Sequence, residues 1–231
     1  MQHTHVLNKL KEISKPSKAL TSQKFFKTAP GQYGHGDIFW GITVPQVRQV
    51  TKQFQTLPLK DIKVLIQHKT HEVRLCGLLL LLGRFQDEPE LIYKTYLEHK
   101  SFVNNWDFVD LTADKIVGAY LQGKPKTILY ELAKSQNLWD RRIAIVSTFY
   151  FIKTGQSQET FKIADYLIQD KEDLIHKAVG WMLREVGKRC STQELEIYLK
   201  NRYKQMPRTM LRYAIERFPE SLRKKYLLGQ V

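Results

Sequence analysis

From one end of this chain to the other, apolar residues recur every three to four positions and almost never alternate. That spacing supports helices with one buried stripe and leaves little material for a sheet. It predicts helices near 4–13, 17–28, 44–55, 59–68, 71–85, 88–99, 105–121, 125–135, 139–154, 157–169, 172–189, 192–204, 207–217 and 220–228, separated by short Gly, Pro and Asn punctuation. Thr43-Val44-Pro45-Gln46 has the form of a capped start, with Thr43 as N-cap and Gln46 three residues on. Met206-Pro207 restarts the chain in the same way. Short helices joined by short loops pair antiparallel and stack in series. The expected fold is therefore all-α. It is a HEAT-like helical-repeat solenoid of stacked antiparallel helix pairs with a concave basic groove, formed as one domain over residues 1–231. No crisp repeat consensus accompanies the pattern.

The 42% apolar content fills a core for a chain of 231 residues. No run of about 18 apolar residues is present, so no membrane span is expected. Met1-Gln2-His3-Thr4-His5 does not open a secretory leader. Two cysteines, Cys76 and Cys190, suit a reducing compartment. Together these lead to an expected place in the cytoplasm or at the nucleoid; a monomer is expected. No Cys/His spacing fits a zinc site, and neither a metal nor a cofactor is expected. His68 and His71 stand three apart without a third ligand, which reads as a solvated face.

Charge is more informative. Thirty-seven basic residues against 23 acidic give a net charge of +14. Such a balance points to a polyanionic partner. In the last 31 residues eight Lys and Arg face two Glu, and they are interleaved with aromatics instead of forming a tail. Nucleic acid is the partner this favours. Arg208 and Arg212 share a face after Pro207, either as phosphate contacts or as an ordinary charged surface. The insert Pro30-Gly31-Gln32-Tyr33-Gly34-His35-Gly36-Asp37 reads as a shaped loop between helices.

Three segments can carry chemistry. In Asn104-Asn105-Trp106-Asp107-Phe108-Val109-Asp110, one helix face holds Phe102, Val103, Trp106, Val109, Ala113, Val117 and Tyr120. Asp110 falls at the edge of that face, too far in to be a cap. An inward carboxylate is costly unless paired or used, so Asp110 is either half of an ion pair with an arginine of the next helix or a functional acid. Asp107 has a simpler reading as a first-turn acid. In Asn137-Leu138-Trp139-Asp140-Arg141-Arg142, two arginines open a helix whose dipole disfavours them. They are an exposed surface pair, a phosphate clamp or a partner for Asp110. In the third segment, Ile175, Val179, Met182 and Val186 form the buried stripe, while Trp181 lies off it among Lys177, Arg184 and Lys188. Trp181 is either a contact with a neighbouring helix or a platform for a sugar or base between phosphate-binding cations. Glu185 is expected to pair locally.

Taken together, Phe26-Lys27-Thr28-Ala29-Pro30-Gly31-Gln32-Tyr33-Gly34, Gly41-Ile42-Thr43-Val44-Pro45, Asn105-Trp106-Asp107-Phe108-Val109-Asp110, Trp139-Asp140-Arg141-Arg142-Ile143-Ala144-Ile145 and Lys177-Ala178-Val179-Gly180-Trp181-Met182-Leu183-Arg184-Glu185 resemble the AlkD-like DNA alkylation repair glycosylases. The resemblance implies that Asp110 is the catalytic acid, and that Trp106 and Trp181 press on the backbone and sugar of the lesion nucleotide. It implies that Arg142 supports the site, with Arg141 in that role if the match slips by one residue. It implies a substrate of duplex DNA carrying N3- or N7-alkylated purines, excised without turning the base into a pocket. The wider superfamily also holds members that bind branched or bulged DNA with little base excision. Arg141, Lys177, Arg184, Lys188, Arg208 and Arg212 are the expected DNA-binding cations.

Overall fold

The computed structural model describes residues 2–231. It is all-helical, and among the described residues only an isolated bridge between Ile38 and Thr70 breaks that pattern. The helices are α1 (Gln2–Glu12), α2 (Pro16–Phe25), α3 (Val44–Gln53), α4 (Leu59–Ile66), α5 (His71–Gly83), α6 (Pro89–Glu98), α7 (Trp106–Ala113), α8 (Thr127–Ala133), α9 (Leu138–Ser147), α10 (Phe149–Lys153), α11 (Gln158–Leu167), α12 (Asp173–Arg189), α13 (Thr192–Lys200), α14 (Arg208–Ala214) and α15 (Glu220–Leu228). The chain forms two compact units, one up to Phe108 and one from Val109 to Val231, with the boundary inside α7.

In the first unit α5 is the central element. His71 through Leu81 are all buried, which is the signature of a helix packed on every side. It packs against α3, α4 and α6. Residues Trp40, Gly41 and Ile42 are tied to it because their N–H groups donate to the buried Glu72 carboxylate at 3.0, 2.8 and 3.1 Å. The box at the start of α3 forms as expected, with the Thr43 N–H donating to the Gln46 side chain at 3.0 Å.

In the second unit α12 is central and meets α9, α10, α11, α13 and α14. The expected stripe of Ile175, Val179, Met182 and Val186 is fully buried. Gly180 lets α14 come close, since a Cβ there would stand 2.5 Å from both the Met210 carbonyl oxygen and the Tyr213 Cβ.

Two of the expected helices are interrupted. The one over 105–121 passes after α7 into a π-helical turn, Asp114–Gly118. There a Cβ on Gly118 would stand 2.2 Å from the Ser147 carbonyl oxygen, so the chain has widened where α9 presses on it. The one over 139–154 breaks at Thr148, whose hydroxyl and N–H both donate to the Ile145 carbonyl, at 2.7 and 3.1 Å. No helix among the described residues is long and apolar enough to cross a membrane. Cys76 and Cys190 are both free thiols, and burial pushes the Cys76 thiol up to about 11.

Gly180→Ala is expected to cost about 1–3 kcal/mol by forcing α12 and α14 apart. Urea unfolding of the variant beside the wild type measures this, and an unchanged midpoint would mean that the helix contact is not tight.

Candidate active site

Asp110 sits in the second turn of α7 with its side chain 20% exposed. The helix is started by Asn105, whose side-chain oxygen accepts from the Trp106 N–H at 2.8 Å. Of the predicted face, Val103, Val109, Ala113 and Val117 are buried while Phe102, Trp106 and Tyr120 are only half-buried, and Asp110 is half-buried as well.

Arg142 comes to Asp110 from α9. That helix is capped by Asn137, whose side chain accepts from the Trp139 N–H at 2.8 Å. The guanidinium Nε donates to Oδ1 and Nη2 to Oδ2, both at 2.9 Å, a bidentate geometry that fixes the carboxylate plane. Nη1 donates to the carbonyl of Leu174 on α12. Arg142 is buried, so its charge is compensated by the acid it holds. Arg141 faces elsewhere. It pairs with Asp170, with Nε–Oδ2 at 2.6 Å, and donates to the Ser135 and Gln136 carbonyls at 3.0 Å each. The two arginines are thus not an exposed surface pair, and the partner of Asp110 is Arg142.

Trp181 is half-buried on α12, with its ring centroid 5.8 Å from that of Phe149. The Phe149 ring also receives Lys153 at 5.1 Å and Arg189 at 5.3 Å, giving an aromatic patch bordered by cations. Several expected phosphate contacts already have acidic neighbours. Arg184 pairs with Glu216 and Glu185, and Lys177 pairs with Asp173 at 2.6 Å. Lys188, Arg208 and Arg212 lie on exposed positions, with Arg208 also donating to the Leu227 carbonyl at 2.6 Å. Glu185 pairs locally with Arg189 at 2.8 Å, as expected.

The first unit contains a cluster that the sequence reading missed. His71 is not on a solvated face: its side chain is 2% exposed. Nδ1 lies 3.0 Å from Asp37 Oδ2, and Nε2 lies 2.9 Å from Asp107 Oδ2. Arg74 completes the cluster by pairing with Asp37. Burial alone would depress the His71 pKa, but Asp107 and Asp37 outweigh it and raise it. Burial likewise pushes Asp37 up, and hydrogen bonding to His71 with the charge of Arg74 outweighs it, so Asp37 is lowered. Around this cluster runs an aromatic stack. His71 lies against Phe39 and Phe108, with centroids 4.5 and 4.2 Å away, and Phe26 stacks on both Phe39 and Trp106, at 5.1 and 5.4 Å. Trp106 is half-buried in that stack, with Phe25 edge-on at 5.8 Å. Among the described residues no cluster of three or more His, Cys, Asp or Glu is arranged to hold a metal ion.

A family model described as DNA alkylation repair enzyme matches residues 6–218, nearly the whole chain. The chain belongs to the DNA alkylation repair enzyme family. Among solved structures, one described as a predicted DNA alkylation repair enzyme from Enterococcus faecalis superposes with a TM-score of 0.75 at 22% identity, covering 90% of this chain and 97% of that one. At that identity the likeness shows a shared fold. A comparison with curated proteins finds no match. Alkylation repair makes DNA the partner of this chain, in keeping with its net charge of +14.

Arg142→Ala removes the bidentate partner of a half-buried carboxylate and is expected to cost about 2–3 kcal/mol, somewhat less than loss of a partner from a fully buried pair. Urea titration of the variant checks it, and a loss near zero would mean that solvent replaces the guanidinium. The His71 cluster should also stabilise the fold within a pH window. The raised His71 contributes fully below its usual 6.5 and loses its contribution as pH rises through the higher folded value. The lowered Asp37 contributes fully above its usual 3.8 and loses its contribution as pH falls through the lower folded value. The stability difference between wild type and His71→Gln should therefore be greatest between those two usual values and shrink in alkali. A difference independent of pH would contradict an ionised cluster.

Proposed function

We propose that the protein is a monofunctional DNA glycosylase that hydrolyses the N-glycosidic bond of positively charged N3- and N7-alkylpurines in duplex DNA, with residues 1–231 working as one DNA-binding domain. The observation that carries this reading is the partly exposed Asp110 carboxylate, held in one orientation by both donors of the Arg142 fork. An alkylpurine cation needs no enzymic acid to leave. What remains is stabilisation of the oxocarbenium-like sugar and delivery of water. One ionised carboxylate serves both, by its charge and as a general base. Bidentate pairing with arginine fixes the plane of the carboxylate towards which a water would be drawn.

Trp181, on a patch bordered by Lys153 and Arg189, has the aromatic face needed to exclude water from a sugar and to favour a developing cation. Trp106, one turn before Asp110 on α7, has the same chemistry. Lys188, Arg208 and Arg212 offer exposed cations for backbone phosphates, which fix register without reading sequence. In this reading Arg141, Arg184 and Lys177 reach phosphate only by exchanging their present acidic partners. No lysine is assigned as a Schiff-base nucleophile, so the product is an intact strand with an abasic site.

One observation favours a second reading, a binder of damaged, bent or branched DNA without chemistry. Both Asp110 oxygens already accept from Arg142, which reduces the negative charge the acid presents. Release of methylated purines from alkylated duplex separates the two. The glycosylase reading expects release by the wild type and a loss of about 10²- to 10⁴-fold in Asp110→Asn, with duplex binding retained. No release by the wild type, together with salt-sensitive binding that prefers branched duplex, would establish the second reading.

A further inference from the structure

We infer that His71 is a positioning residue for Trp106: as an imidazolium bridging Asp37 and Asp107, it sets the start of α7 and the ring against which Trp106 stacks. Its functional consequence rests on the role proposed above for Trp106. Its structural content does not.

Both ring nitrogens of His71 face a carboxylate oxygen, at 3.0 and 2.9 Å. A neutral imidazole has one donor and one acceptor nitrogen, so it would set a lone pair against one of the two acids. The imidazolium donates to both. With Arg74 the cluster then holds two cations and two anions, which makes its burial tolerable.

Three routes lead from this cluster to Trp106. Asp107 is the next residue of α7, and its carboxylate is anchored by His71 Nε2. Asn105 is the residue before it. Its side-chain amide donates to Asp37 Oδ2 at 3.4 Å while its oxygen caps the Trp106 N–H. The third route is through rings: the imidazole lies 4.7 Å from Phe26, and Phe26 stacks on Trp106 with an interplanar angle of 20°. Backbone before, backbone after and the ring face of Trp106 are therefore all referred to one buried cation.

The test is an ¹⁵N-indole spectrum of the full-length chain, whose four tryptophans are Trp40, Trp106, Trp139 and Trp181. Trp106→Phe assigns the relevant resonance. In His71→Gln, at a temperature where the variant remains folded, the Trp106 indole resonance should shift or broaden while those of Trp139 and Trp181 stay in place. The single-turnover rate of methylpurine release should fall about 10- to 100-fold with little change in duplex affinity, as expected for a misplaced group near a reacting centre. A lowered melting temperature with the Trp106 resonance and the rate both at wild-type values would overturn the inference and leave His71 a stability residue. Should His71→Gln fail to fold, Asp37→Asn weakens one arm of the bridge together with its contact to Asn105, and an unmoved Trp106 resonance there overturns it equally. If the wild type releases no base, the glycosylase reading fails by itself, and the spectrum still decides the positioning.

Discussion

The bidentate pair between Asp110 and Arg142 is the contact on which the candidate chemistry depends. A carboxylate at the margin of a core has two fates: it takes a proton, or it finds a cation. Arg142 supplies the cation from α9 and is itself braced by a carbonyl of α12, so the acid's orientation is inherited from helix packing and not from its own rotamer. The close approach that Gly180 permits between α12 and α14 belongs to that same framework. Loss of packing at α12 would be felt at Asp110 without any change in the residues that touch it.

The pair also sets a balance. A tight guanidinium holds the acid in one orientation but offsets the charge it can direct at a sugar cation. The Asp110 side chain is 20% exposed, so the pair stands where solvent reaches it. The first unit follows a different design. In its His71 cluster the charges are buried and set against one another, which suits holding rings in place and not reacting with anything.

Much of this was legible in the sequence. Most helix ranges follow from apolar spacing, the Thr43 and Pro207 starts from capping chemistry, and Asp110 from being polar at the margin of an apolar stripe. The choice between Arg141 and Arg142 was not legible. Adjacent helical residues point about 100° apart, and which direction meets Asp110 is decided by the neighbouring helices. His71 was hidden for a related reason. Its acids are 34 and 36 residues away, so nothing local distinguished it from a surface histidine. The partners of the cations near Trp181 divide in the same way. Arg189 with Glu185 is an i, i+4 pair that a reader can see, whereas Arg184 with Glu216 spans 32 residues. The π-helical turn after α7 is set by the pressure of α9 at Gly118, a tertiary cause with no sequence signature of its own.

The central claim is that the Asp110 carboxylate favours positive charge at the sugar, and binding of transition-state analogues tests it most directly. Affinity would be measured for two duplexes that differ only at one position, a cationic pyrrolidine against a neutral tetrahydrofuran in place of the lesion nucleoside. The account predicts that wild type prefers the cation by about tenfold or more, the equivalent of ~1.4 kcal/mol, and that Asp110→Asn loses this preference while keeping its affinity for the neutral duplex. Equal affinity for the two duplexes in the wild type, or an undiminished preference in the variant, would contradict it.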